Sequence, residues 1–166
     1  MGFLDFIKDA GEKIMGGDEA EAAQPKQAPA QSPEEIKSFH NRRRAMGLAK
    51  MIESHGFEIE DLSVRVDDDL VTVTGKVEDQ ATKEKVLLVI GNSAGIARVD
   101  DRLEVVATEP EAQFHTVVSG DTLGAIAKEY YGNAGKYPVI FEANKPMLTD
   151  PNKIYPGQVL RIPPIE

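Results

Sequence analysis

The sequence predicts an α+β chain of two small domains, an αββαβ sandwich followed by a βααβ unit, with a short amphipathic helix in front. Three observations carry this. Runs of period-two alternation are interleaved with stretches of helical period. A polar break at Thr108-Glu109-Pro110-Glu111 separates two such sets. The charge changes at the same place: of 19 Lys+Arg and 28 Asp+Glu, only 5 and 5 lie from Ala112 onward, so the whole net charge of −9 sits in the first two thirds.

Residues 1–15 read as the amphipathic helix, because Phe3, Ile7, Ala10 and Ile14 recur at helical spacing with charges opposite. A helix this short is marginal alone and needs a surface to lie on. The segment is not a secretory signal, since Asp5, Lys8, Asp9, Glu12 and Lys13 interrupt every apolar run, and a cytoplasmic location is expected. Residues 16–33 hold five Ala, three Gln and three Pro with no aromatic or β-branched residue, the composition of a disordered linker. As a coil it would span roughly 20–25 Å.

The middle module is expected over 34–107. Ser32-Pro33-Glu34-Glu35 is a helix start with an N-cap, a proline in the first turn and a glutamate at the third position. That helix should run to about His55, with Ile36, Phe39, Leu48 and Ile52 as its apolar side and Gly56 as its stop. Leu62, Val64 and Val66 alternate with Ser63 and Arg65 as a strand, Asp67-Asp68-Asp69 turns the chain, and Leu70 to Val77 returns. A helix from near Asp79 carries Ala81, Val86, Val89 and Ile90, and Val99, Leu103 and Val105 mark the last strand. The second helix crosses over between strands.

After a linker at 108–113, the last module is expected over 114–166. Val117-Val118 is read as a strand, Gly120-Asp121-Thr122 as the turn into a helix capped by Asp121 or Thr122, and Leu123, Ile126, Ala127 and Tyr130 as that helix's buried face. Tyr137 to Asn144 forms a second helix stopped by Lys145-Pro146. Val159 to Ile162 closes the unit after the Pro156-Gly157 turn.

Composition excludes several functions. No cysteine means no disulfide scaffold, zinc ribbon or thiol chemistry. An acidic chain is poorly suited to nucleic acid or an anionic membrane, and Arg42-Arg43-Arg44 is too short a basic run to change that. No apolar run is long enough for a membrane span. His40, His55 and His115 are not spaced as metal ligands, and Asp67-Asp68-Asp69 lacks the alternate spacing of a calcium loop. Without a nucleophile–base pair or a phosphate loop, no enzyme is expected.

Gly91-Asn92-Ser93-Ala94-Gly95-Ile96 remains. It follows a very apolar helix end and offers backbone carbonyls rather than chelating side chains. The last carbonyls of a helix lack internal partners, glycines let further oxygens turn inward, and the helix C-terminus carries partial negative charge. Neutral carbonyls suit potassium, as in channel filters, whereas calcium or magnesium wants carboxylates. A plain glycine-stopped helix is the other reading of the same residues.

Three resemblances sharpen this. Residues 34–107, through TVTG ending at Gly75, the Gly95-Ile96 turn and Val99-Asp100-Asp101, resemble a BON domain, a binding module. Residues 114–163, through Val118-Ser119-Gly120-Asp121-Thr122-Leu123, Asn144 and Ile154-Tyr155-Pro156-Gly157-Gln158, resemble a LysM domain. The LysM resemblance implies N-acetylglucosamine polymers as ligands, in a groove lined by Gly120, Asp121, Thr122, Ile154, Tyr155 and Pro156; those residue types are also what such turns need. The chain as a whole, in FIKDAGEK, FEANKPM and KIYPGQVLRIP, resembles a family of small cytosolic potassium-binding proteins, with a longer linker here. That resemblance implies binding of K+, with Rb+ or Cs+ as ions of the same class, and a role in sensing or buffering. The expected site joins the carbonyls of Ile7 and Ala10 to those of Gly91, Ser93, Gly95 and Ile96, in a monomer ordered by the ion. The competing classes are a cell-wall binding protein and an adaptor for an unknown protein partner.

Overall fold

Four strands in the order β1-β4-β3-β2 form the larger sheet, and two more, β5-β6, form a separate ribbon. The computed structural model describes residues 2–5, 32–107 and 109–165, the first of these through their backbone. The elements are β1 Gly2–Asp5, α1 Pro33–Ser54, β2 Glu60–Asp67, β3 Leu70–Asp79, α2 Gln80–Gly91, β4 Arg98–Ala107, β5 Gln113–Thr116, α3 Leu123–Tyr131, a 3-10 turn Ala134–Lys136, α4 Tyr137–Ala143 and β6 Val159–Ile162. The α+β class and the order αββαβ then βααβ are as expected.

Local chemistry explains the ends. Ser32 and Glu35 form the reciprocal capping box of α1, and Gly56 stops it at φ +77°. Asp79 caps α2 by accepting from the Thr82 amide at 2.6 Å. β2 and β3 are antiparallel through a two-residue turn with Asp68 at φ +55°, and Lys37 pairs with Asp68 at 2.8 Å. β3 and β4 are parallel, as a helical crossover requires. Gly75 has φ +147°, and a Cβ there would lie 2.7 Å from Ile59 Cγ2 and 3.0 Å from the Glu60 carbonyl, so the register irregularity in β2 demands glycine.

Three expectations are corrected. Residues 2–5 are not the first turn of a helix: they pair antiparallel with β4, Gly2 opposite Asp101 and Asp5 opposite Arg98. The physical reason is that β4 otherwise presents an open edge, and ladder bonds there outweigh the weak local preference of a short segment. The remainder of the expected helix, with Ile7 and Ala10, and nearly all of the 16–33 linker lie outside the described residues. Second, Ile36 and Phe39 are 43% and 57% exposed; only Leu48 and Ile52 of the expected apolar side are buried, because the core that α1 packs against holds its C-terminal half and neither Ile36 nor Phe39. Third, the strand predicted at Val117-Val118 lies earlier, at Gln113–Thr116. Val117 is buried and exchanges backbone bonds with Gln158 and Gly157, while Val118 already belongs to a turn.

The two modules share their packing. Val159 of β6 lies in the same buried cluster as Leu88, Ile90 and Ile96, and Met147 touches both cores. The outer edge of β6 is held by two helix-capping asparagines. Asn92 Nδ2 donates to the Val159 carbonyl at 3.0 Å and its Oδ1 accepts from the Val159 amide at 2.8 Å. Asn144 does the same for Arg161 at 2.8 Å and 2.7 Å. Each carboxamide replaces one rung of a missing strand.

Candidate functional site

The C-terminal half of α2, from Val86 to Gly91, is buried on every side, so its terminal carbonyls cannot be satisfied by bulk water. The Leu88 carbonyl accepts from the Asn92 amide at 2.9 Å and from Asn92 Nδ2 at 3.0 Å. The Val89 carbonyl accepts from Ser93 Oγ at 2.8 Å, and that of Ile90 from the Ser93 amide at 3.0 Å. No donor among the described residues reaches the Gly91 carbonyl. Of the next oxygens, that of Ser93 is lightly held, accepting a long 3.3 Å bond from the Ile96 amide, whereas that of Gly95 accepts a charge-assisted bond from Arg44 Nη2 at 2.9 Å.

The turn is fixed from outside. Gly95 has φ +76°, a conformation that favours glycine. The Asp69 carbonyl accepts from the Ala97 amide at 2.9 Å and the Arg98 amide at 3.1 Å, tying the turn to the β2–β3 hairpin. Ile96 is buried. No group of three or more carboxylate or imidazole residues able to hold a metal is present among the described residues. What the turn offers a cation is neutral oxygen at the negative end of a helix, a donor set that suits a large, weakly hydrated monovalent ion better than a divalent one.

The same turn forms one wall of a cleft of ≈ 560 Å³ between the modules. Leu48, Met51 and His55 of α1 face Ser93, Ala94 and Ile96, with Met147, Lys153 and Tyr155 across from them. Burial pushes the Tyr155 phenol above its ordinary range.

The residues expected to line a sugar groove are divided by the fold. Asp121, Thr122 and Ile154 share a groove with Tyr137, Pro151 and Asn152, but Tyr155 belongs to the cleft between the modules. Gly120 supplies the turn at φ +93°, and Pro156 forms with Gly157 the turn closed by the Gln158 amide on the Tyr155 carbonyl and borders neither cavity. Asp121 Oδ2 accepts from the Val118 amide at 3.0 Å and meets His115 Nε2 at 2.9 Å. The Val118 bond, then the His115 contact, hold its carboxyl below the usual carboxylate range. Thr122 Oγ1 is engaged as the cap of α3. Asp121 Oδ2 and Thr122 Oγ1 are therefore committed to the turn.

Sequence reasoning missed three residues here. Arg44 was read only as part of a basic run, Asn92 only as part of a turn, and Glu84 not at all. Glu84, 2% exposed, pairs with Arg161 across the modules and accepts from the Ala112 amide at 2.9 Å. The available signal was helical spacing: Glu84 stands three positions after Ala81 and three and four before Leu87 and Leu88, so it shares their side of α2.

Comparison with known proteins agrees with these modules. A BON domain model matches residues 42–107 and a LysM domain model matches residues 115–163. Two esterases of Mycobacterium tuberculosis strains are 47% identical over 53 residues, 32% of this chain but only 11% of theirs. Potassium binding protein Kbp of Escherichia coli is 42% identical over 163 residues, covering 98% of this chain and 99% of that protein. Identity of that size along both whole chains, with both modules in the same order, makes this chain a member of the Kbp family.

Proposed function

We propose that this chain binds potassium through main-chain oxygens at the end of α2, as a cytoplasmic monomer that senses or buffers the ion. Full-length similarity to a protein named for potassium binding supports the ligand. The observation that carries the site is the buried Gly91 carbonyl, which has no donor among the described residues, beside the Ser93 oxygen with its single long bond; Gly95 and Ile96 follow in the same turn. Its second half would come from Ile7 and Ala10. β1 runs antiparallel to β4 and ends at Asp5 opposite Arg98, three residues from Gly95. Ile7 is then within about 7 Å and Ala10 within about 18 Å of Asp5 along an extended chain. An ion that gathers oxygens from both segments stabilises the closed arrangement by mass action.

Calorimetry with potassium against sodium, on the full chain and on a version lacking residues 1–16, tests this. Potassium should bind the full chain selectively, rubidium and caesium should follow it, and the shortened chain should bind about tenfold or more weakly. Gly95→Val should weaken binding because Val rarely adopts φ +76°. Ser93→Ala should stay within about twofold, since Ser93 Oγ already faces the Val89 carbonyl. A Gly95→Val titration that matches wild type sinks the placement.

A further inference from the structure

Arg44 projects from α1 onto the proposed ion site. Its Nη2 donates to the Gly95 carbonyl at 2.9 Å, and Nη1 donates to the Asp68 carbonyl in the hairpin turn. We propose that Arg44 is a tethered rival for the ion, so that the concentration at which potassium fills the site is set by withdrawing this guanidinium from Gly95. The inference rests on the reading that Gly95 supplies a potassium ligand.

An arginine keeps its charge at every ordinary pH. Both groups it touches are neutral carbonyls, while the nearby Asp68 carboxylate is taken by Lys37 at 2.8 Å. Arg44 makes no salt bridge among the described residues, so a potassium ion on the Gly95 oxygen would stand a few ångströms from a guanidinium with no carboxylate in direct contact. Like charges at about 4 Å repel strongly near a protein surface. One carbonyl has lone pairs for both cations, yet the two disfavour each other, and the penalty is reciprocal.

The surroundings allow Arg44 to leave without dismantling the site. The Gly91–Ile96 turn is pinned to the hairpin through Asp69, whose carbonyl holds Ala97 and Arg98. Asp68 offers the departing guanidinium a place it already touches. Arg44 also borders the cleft between the modules, so its long side chain has space to move. A merely supporting arginine would have the opposite effect: its loss would loosen Gly95 and weaken binding.

Calorimetry on full-length Arg44→Met and Arg44→Lys, with potassium and with rubidium, separates the two. Arg44→Met should bind both ions about tenfold tighter with their ratio unchanged, because a fixed charge penalises every monovalent cation alike, and Arg44→Lys should fall between. Unchanged or weaker binding by folded Arg44→Met overturns the role of Arg44 and leaves the site reading standing. No uptake of potassium by wild type overturns the site reading and this proposal together. A measurement without any variant gives a second decision. Nitrogen-15 spectra of the wild-type guanidinium groups should show Arg44 rotating more freely as potassium saturates, and a signal unmoved by saturating potassium overturns the proposal.

Discussion

At the scale of single residues, oxygen and amide groups at turns are assigned with little to spare. Asn92 uses both ends of one carboxamide on Val159 and also closes the end of α2, while Ser93 spends its hydroxyl on Val89. Asp121 is the comparable residue in the second module, accepting from the Val118 amide and meeting His115, which also lies 3.2 Å from Tyr130. Because its folded carboxyl sits below the ordinary range, Asp121 contributes stability above the unfolded carboxylate pKa of about 3.9 and loses it as pH falls through the lower folded value. Urea unfolding at several pH values between about 6 and 2.5 should show Asp121→Asn destabilised at the upper end and approaching wild type at the lower. Parallel curves for the two proteins would remove the carboxylate from that account. The turn signature was legible in the sequence; the His115 contact was not, since it joins residues on a strand and a loop that only folding brings together.

Among the elements, α1 shows where a helical pattern says less than it seems to. Ser32, Pro33, Glu35 and Gly56 set its ends correctly, because capping is chemistry of adjacent residues. Which of its apolar residues are buried depends on what the tertiary fold packs against them, which periodicity does not contain. Ile52 is wholly buried, whereas Phe39 is more than half exposed and lies near the Arg43 guanidinium. Chemical denaturation should therefore cost about 2–5 kcal/mol for Ile52→Ala and under about 0.5 kcal/mol for Phe39→Ala. β1 teaches the same lesson from the other side: four residues with a helical pattern were recruited by an open strand edge.

For the whole molecule, the decisive feature is that the modules are joined by buried polar contacts as well as by packing. Glu84 and Arg161 are 2% and 8% exposed and pair across the boundary, and Asn92 bonds Val159. Removing one member of a buried pair leaves an uncompensated charge at a cost of about 3–5 kcal/mol. The four tyrosines, Tyr130, Tyr131, Tyr137 and Tyr155, all lie in the second module and no tryptophan is present, so tyrosine emission reports that module and, through Tyr155, its boundary with the first, while circular dichroism reports both modules. The two signals should melt together in wild type and separate in Glu84→Ala. Separate transitions in the wild-type chain would mean that the boundary carries no cooperativity.

The sequence by itself determined the α+β class, the order of elements, the helix caps, the hairpin at Asp68-Asp69 and the carbonyl-rich turn after Ile90, because each is written in neighbouring residues. Only the tertiary structure decided that residues 2–5 join the sheet, that Asn92, Asn144 and Glu84 bind the second module's last strand, and that Arg44 rests on Gly95. Those outcomes depend on groups far apart in the chain, 51 residues for Arg44 and Gly95 and 77 for Glu84 and Arg161. Such pairs form when burial denies polar groups their water and leaves whichever partner the fold has brought within reach.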